Sequence, residues 1–141
     1  MTILTDDTDT KGILNKATED VKDISLYEDV ISNMVKMLEK NSDWAGLAAP
    51  QIGLSKSIFV VRLEKGIEVV VNPTIKYGKN IISGSEGCLS RPDIFCETRR
   101  SRKITVSYQD ENGKLIRRKI LDKFAVRFQH EFDHLKGILI S

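Results

Sequence analysis

The sequence predicts a small single domain of the α+β class, with mixed or antiparallel sheets packed around a C-terminal helix. Three observations carry that expectation. Strand-like runs fill the middle of the chain, a stretch of helical period stands near each end, and 141 residues, 40% of them hydrophobic, suit one core better than two.

Residues 1–20, rich in Thr, Asp and Lys, read as a loosely structured arm leading into the single domain over 1–141. Ser25 followed by Glu28 forms a capping-box pattern, and Val30, Ile31, Met34, Val35 and Leu38 then recur at helical spacing to about Lys40. Ser57–Leu63 and Glu68–Asn72, rich in Val, Ile and Phe and split by Lys65-Gly66, predict two strands, the second stopped by Pro73. Ile104–Gln109 and Leu115–Ile120 flank Asp110-Glu111-Asn112-Gly113, whose Asn-Gly pair suits a tight turn at positive φ. From Asp122 the period becomes helical: Phe124, Phe128, Phe132 and Leu135 share a face, Lys136 sits in the last turn and Gly137 ends it.

Charge narrows the function classes. With 22 basic residues against 20 acidic and a formal charge of +2, nothing global draws the chain to DNA or an anionic membrane. No run approaches ~18 apolar residues and the N-terminus is acidic, so neither a membrane span nor a secretory leader is expected; a cytoplasmic monomer is. The only cysteines, Cys88 and Cys96, then point to metal or redox use more than to a disulfide framework.

The only two histidines, His130 and His134, stand four apart on the last predicted helix with Glu131 after the first. That spacing puts both imidazoles on one face, ~5–6 Å apart at Cβ, within reach of a single ion. Glu131 can then face the ion's open position without ligating it, where a carboxylate takes a proton from water and later gives it to a leaving amine. The sheets would thus pack around a metal-binding helix. Only seven residues follow His134, too few for a glutamate ligand on a further helix, and a third histidine six residues on is ruled out by Ile140. The remaining ligand must come from upstream, where thiolate is a strong donor. Cys88 lies among small or flexible residues in Ser85-Glu86-Gly87-Cys88-Leu89-Ser90, whereas Cys96, among Ile94, Phe95 and Glu97, reads as core.

Three segments resemble the signature of the peptide deformylase family: Gly46-Leu47-Ala48-Ala49-Pro50-Gln51-Ile52-Gly53, Glu86-Gly87-Cys88-Leu89-Ser90 and Gln129-His130-Glu131-Phe132-Asp133-His134, in the family's order. The likeness covers about residues 20–140. It implies hydrolysis of the formyl group from N-formylmethionyl peptides and nascent chains, giving formate and a free amino terminus. It also implies one divalent metal ion on Cys88, His130 and His134, Fe(II) in the cell, with Zn(II), Ni(II) or Co(II) as alternatives. Glu131 would be the general acid and base, Gln51 and the backbone N–H of Leu89 would hold the oxyanion, and Gly46, with Trp44 and Ala45 beside it, would pair with an extended substrate. Alternative functions are a small metallopeptidase and a non-catalytic binder of nascent N-termini.

The pattern departs in places. Trp44 replaces the first glycine of the family's Gly-x-Gly, and could narrow the groove, stack on substrate or pack outward. Arg127 stands where the family has an apolar side chain near the methionine pocket, and would contact substrate or form a helix-surface ion pair. The chain resembles a short, phage-like form lacking the family's C-terminal helix, which bears on the implied ribosome partner. Thr98–Lys103 is a basic cluster, read as a solvated loop before a strand or an approach to ribosomal RNA. Asp133 is a candidate partner for a ligand histidine's other N–H, and Glu86 an anchor for Arg102 or another cation.

Overall fold

The structure, a computed structural model, describes residues 2–140. Helix α1 is Glu28–Lys40 and α2 is Asp122–Leu135; the strands are β1 (Gly46–Ala48), β2 (Ile58–Leu63), β3 (Gly66–Tyr77), β4 (Ile81–Cys88), β5 (Arg91–Ser101), β6 (Lys103–Gln109) and β7 (Leu115–Leu121). Five strands form one sheet in the order β1-β2-β3-β6-β7, while β4 and β5 form a separate hairpin, and all strand pairs are antiparallel. The α+β expectation holds.

The sheet is covered on both faces, which explains why Ile58, Phe59, Val60 and Val61 run without polar alternation: each is fully buried. On one face Ile58, Val60, Val69 and Val71 pack against Ile31, Met34 and Leu38 of α1, the face its sequence period predicts. On the other, Phe59, Val61, Val70, Ile104, Val106 and Tyr108 meet Ala125, Phe128 and Leu135 of α2, with the rings of Phe59 and Phe128 edge-to-face at 5.0 Å. The β6–β7 hairpin turns at Gly113, φ 80°, as its Asn-Gly pair requires.

Several expectations are corrected. Residues 2–20 are fastened down: Leu14 is fully buried, the Asp9 carboxylate accepts from the N–H groups of Ile13 and Leu14, and Thr18 donates to the carbonyl of Leu135. Gly137, φ 76°, permits this, because a Cβ there would lie 2.7 Å from the Asn15 carbonyl carbon. The Ser25–Glu28 capping box does not form; Asp23 caps a 3₁₀ turn over Ile24–Tyr27 that leads into α1. Nor does Pro73 stop β3, which passes through a register break between Val71 and Thr74. Asn72, at φ 51°, anchors the bulge through bonds to both backbone groups of Val21 and to Gln109, and Pro73 needs no donor there. Thr98–Lys103 is no loop: it ends β5 and begins β6.

Candidate active site

Helix α2 supplies His130, Glu131 and His134, the end of β4 supplies Cys88, and a 3₁₀ turn over Ala49–Ile52 supplies Gln51. The ligand atoms of Cys88, His130 and His134 lie within 4.8 Å of one another. Cys88 Sγ is 3.4 Å from His134 Nε2. His130 Nδ1 donates to Glu86 Oε1 at 2.8 Å, leaving Nε2 for an ion.

Glu86 is held in turn. It accepts from Arg100 Nε and Nη2, each at 3.0 Å, and from Thr98, while Arg100 Nη1 reaches Asp133. Burial pushes the Glu86 carboxyl up, but the hydrogen bonds from His130, Arg100 and Thr98 overcome it and hold it at about 2. Burial likewise works against charge on His130, yet the Cys88 sulfur and Glu86 raise it to about 10. His134 goes the other way, down to about 3, through burial and then the positive charges of His130 and Arg100. The site thus favours positive charge at one imidazole and keeps the other neutral, and a cation bound here would have to displace the His130 proton.

Glu131 is 4% exposed, and burial, only partly offset by the His130 charge, pushes its carboxyl up to about 7. Its carboxylate lies against β1: a Cβ on Gly46 would stand 2.8 Å from Glu131 Oε2. Glu131 Oε1 and His134 Nδ1 are buried with no protein partner among the described residues. A cysteine sulfur, two imidazoles and a buried carboxyl group with an unpartnered oxygen form a donor set that fits a catalytic divalent ion. Gln51 is oriented by its own amide: Oε1 accepts from the Ala48 N–H at 2.9 Å, which turns Nε2 toward Ser90 Oγ at 3.3 Å and Cys88 Sγ at 3.8 Å.

A cavity of about 620 Å³ opens beside this cluster, and Trp44, Ala45, Gly46, Leu89 and Arg127 all line it. Since β1 is the sheet's edge, its outer side faces that space. Trp44 leaves the cavity open, packing half-buried against the α1-side core. Among the described residues Arg127 forms no ion pair; its Nη1 donates to the Arg62 carbonyl at 3.2 Å and its guanidinium lies over the Phe124 ring. Asp133 pairs with Arg100 and not with a histidine, and Glu86 anchors Arg100, whereas Arg102 pairs with Asp122. Cys96 is only half-buried on β5, outside both cores. Sequence reasoning missed Arg100 and Ser90 and undervalued Glu86. The signal for Glu86 was present, because two residues before Cys88 on a strand is the same face.

The polypeptide deformylase family model matches residues 1–141. The chain belongs to the peptide deformylase family. The peptide deformylase of Thermotoga petrophila is 40% identical over 124 residues, covering 84% of this chain and 75% of that protein. The crystal structure of Thermotoga maritima peptide deformylase superposes with a TM-score of 0.89 at 35% identity, over 97% of this chain and 92% of that one. That of the Synechococcus elongatus peptide deformylase in complex with actinonin gives 0.88 at 32%, over 99% and 76%. Peptide deformylases are metal-dependent hydrolases, and the reaction is removal of the formyl group from the N-terminal methionine of newly made proteins. No helix in the described residues is long and apolar enough to cross a membrane.

Proposed function

We propose that this chain performs deformylation with one divalent cation held by Cys88, His130 and His134, and with Glu131 carrying the protons. The reading rests on one observation: ligand atoms from two separate elements converge within 4.8 Å beside a buried carboxylate that has a free oxygen. When bound, the ion supplies Lewis acidity, polarising the formyl carbonyl and acidifying water. Fe(II) is the proposed ion in the cell, on the family resemblance, with Ni(II), Co(II) and Zn(II) as substitutes. A thiolate ligand lowers the positive charge at the centre, which places more of the work on Glu131.

Glu131 takes a proton from the attacking water and delivers it to the departing nitrogen; a carboxyl near 7 suits both transfers at neutral pH. Gln51 Nε2, fixed by the Ala48 N–H, and the backbone N–H of Leu89 donate to the oxyanion as the formyl carbon becomes tetrahedral. Glu86, locked by Arg100, holds the His130 ring in one orientation. The peptide lies extended along the free edge of β1 at Gly46, with Ala45 and Trp44 next along it. The open cavity beside Trp44 favours turnover over mere binding.

The test is formate release from formyl-Met-Ala-Ser by the Fe(II)- or Ni(II)-loaded chain. Glu131→Gln should lower it by roughly 10²–10⁴-fold. No release, or undiminished release by the variant, overturns the assignment.

A further inference from the structure

Helix α1 packs on β1, β2 and β3, and past the bulge between Val71 and Thr74 its side of the main sheet runs on over the end of β3, β6 and β7. Val71 faces α1 and pairs with Gln109, so Ser107, Thr105 and Lys103, stepping back along β6 two residues at a time, point the same way. Their cross-strand partners complete three rows: Thr74–Ser107–Arg117, Lys76–Thr105–Lys119 and Lys103–Leu121. The alternate residues, among them Ile104, Val106 and Ile120, turn into the core under α2. Lys76, Lys103, Arg117 and Lys119 are exposed, and none has a carboxylate partner among the described residues. No Asp or Glu stands in these rows. The acidic residues of the hairpin lie beyond its strand ends: the Asp110 carboxylate accepts from the N–H groups of Asn112 and Lys114, Glu111 sits in the turn, and Asp122 pairs with Arg102. A chain of formal charge +2 thus concentrates positive charge on one flat face.

The chemistry of the face selects its occupant. Neighbouring strands lie ~4.8 Å apart and alternate residues on one strand ~6.8 Å apart, so the cations stand ~7–10 Å from one another with the hydroxyls of Thr105 and Ser107 between them. A phosphate backbone accepts from both kinds of donor. The rows hold no aromatic ring on which single-stranded bases could stack, and no Trp or Phe to sink into a bilayer. Nothing projects from the face to enter the deep major groove of B-form DNA. A-form RNA instead offers a wide, shallow minor groove bordered by phosphates and 2′-hydroxyls, which a flat face of cations and hydroxyls can meet.

We propose that this face of β3, β6 and β7 docks on the backbone of an RNA duplex. It shares no residue with the metal site, so the inference goes beyond the deformylase reading and is tested apart from it.

The experiment measures fluorescence anisotropy of a labelled RNA duplex of about 16 base pairs, a length that spans two successive minor grooves, titrated with the metal-loaded full chain. Contact with about four phosphates predicts an affinity that falls roughly 10²-fold between ~50 and ~200 mM salt. Lys76→Gln, Lys103→Gln, Arg117→Gln and Lys119→Gln should each weaken binding by about threefold to tenfold and reduce the salt slope by about one, and the fourfold variant should lose binding. Lys36→Gln, exposed on α1, should bind like the parent. An unchanged thermal melt shows that the variants fold, since all these positions are at the surface. The same duplex made as DNA should bind several-fold more weakly. No binding of the RNA duplex at low salt, equal affinity for the DNA duplex, or RNA binding that survives the fourfold variant overturns the proposal. Binding to phosphatidylserine vesicles that the fourfold variant abolishes, with no RNA binding, overturns it too and assigns the face to an anionic membrane. Formate release has no part in these outcomes, so a failed deformylase assay leaves the test intact.

Discussion

Replacing Gly46 by alanine should remove most of the activity while leaving every functional side chain present. An added Cβ would lie 2.8 Å from Glu131 Oε2 and 2.9 Å from its Cγ and Cδ, where ordinary contact begins at 3.4 Å. The carboxyl must therefore retreat by about 0.6 Å, the difference between 3.4 and 2.8. Glu131 is 4% exposed, so it has little empty space to enter, and the crowding should cost about 1–3 kcal/mol of stability. The chemistry suffers as well, since misplacing a reacting group by ~1 Å costs roughly 10²-fold. The expected result is a fall in kcat of roughly that order for formate release from formyl-Met-Ala-Ser. Metal content should stay at the parent level, because Cys88, His130 and His134 are untouched, and a thermal melt separates lost folding from lost chemistry. A folded, fully metallated Gly46→Ala enzyme within twofold of the parent would refute the claim that the chemistry depends on where Glu131 rests against β1.

Gln51→Glu keeps the acceptor for the Ala48 N–H but removes the donor aimed into the site, so kcat should drop by about 10²–10³-fold with KM little changed; a loss in KM alone would remove Gln51 from the oxyanion site. The Glu86 carboxyl is depressed from 4.5 to about 2, so its contribution to stability is full above 4.5 and is lost as pH falls toward 2. Glu86→Gln should accordingly be less stable than the parent in urea at pH 7, with the gap narrowing at pH 3; a constant gap would mean that charge is not what Glu86 contributes. Gly137→Ala forces a side chain onto a backbone at φ 76° and into the Asn15 carbonyl, so its melting temperature should fall by several degrees, by a loss of more than ~1 kcal/mol, while kcat/KM at 20 °C persists. An unshifted melt would mean that the N-terminal arm contributes nothing to stability.

By itself the sequence determined both helices, four of the five main-sheet strands, the β6–β7 hairpin and the pairing of His130 with His134 on one face of α2. These are local facts. A helix buried on one face writes its period into Ile31, Met34 and Leu38, and four-residue spacing makes His130 and His134 neighbours whatever the rest of the chain does. Cys88 was reachable because so few donors were available, helped by the family signature. The tertiary structure alone decided the rest. The β4–β5 hairpin is largely exposed on both faces, so Ile81–Ser101 carries no apolar alternation to read, and the Cys96 and basic-cluster readings failed with it. Partnerships across the fold leave no local trace either: Glu86 with Arg100 and His130, Thr18 with Leu135, and Glu131 against Gly46 join residues whose closeness depends on how sheet, hairpin and helix pack. Composition can name a carboxylate as a proton carrier. Only packing can bury it, free one of its oxygens and raise its pKa toward 7.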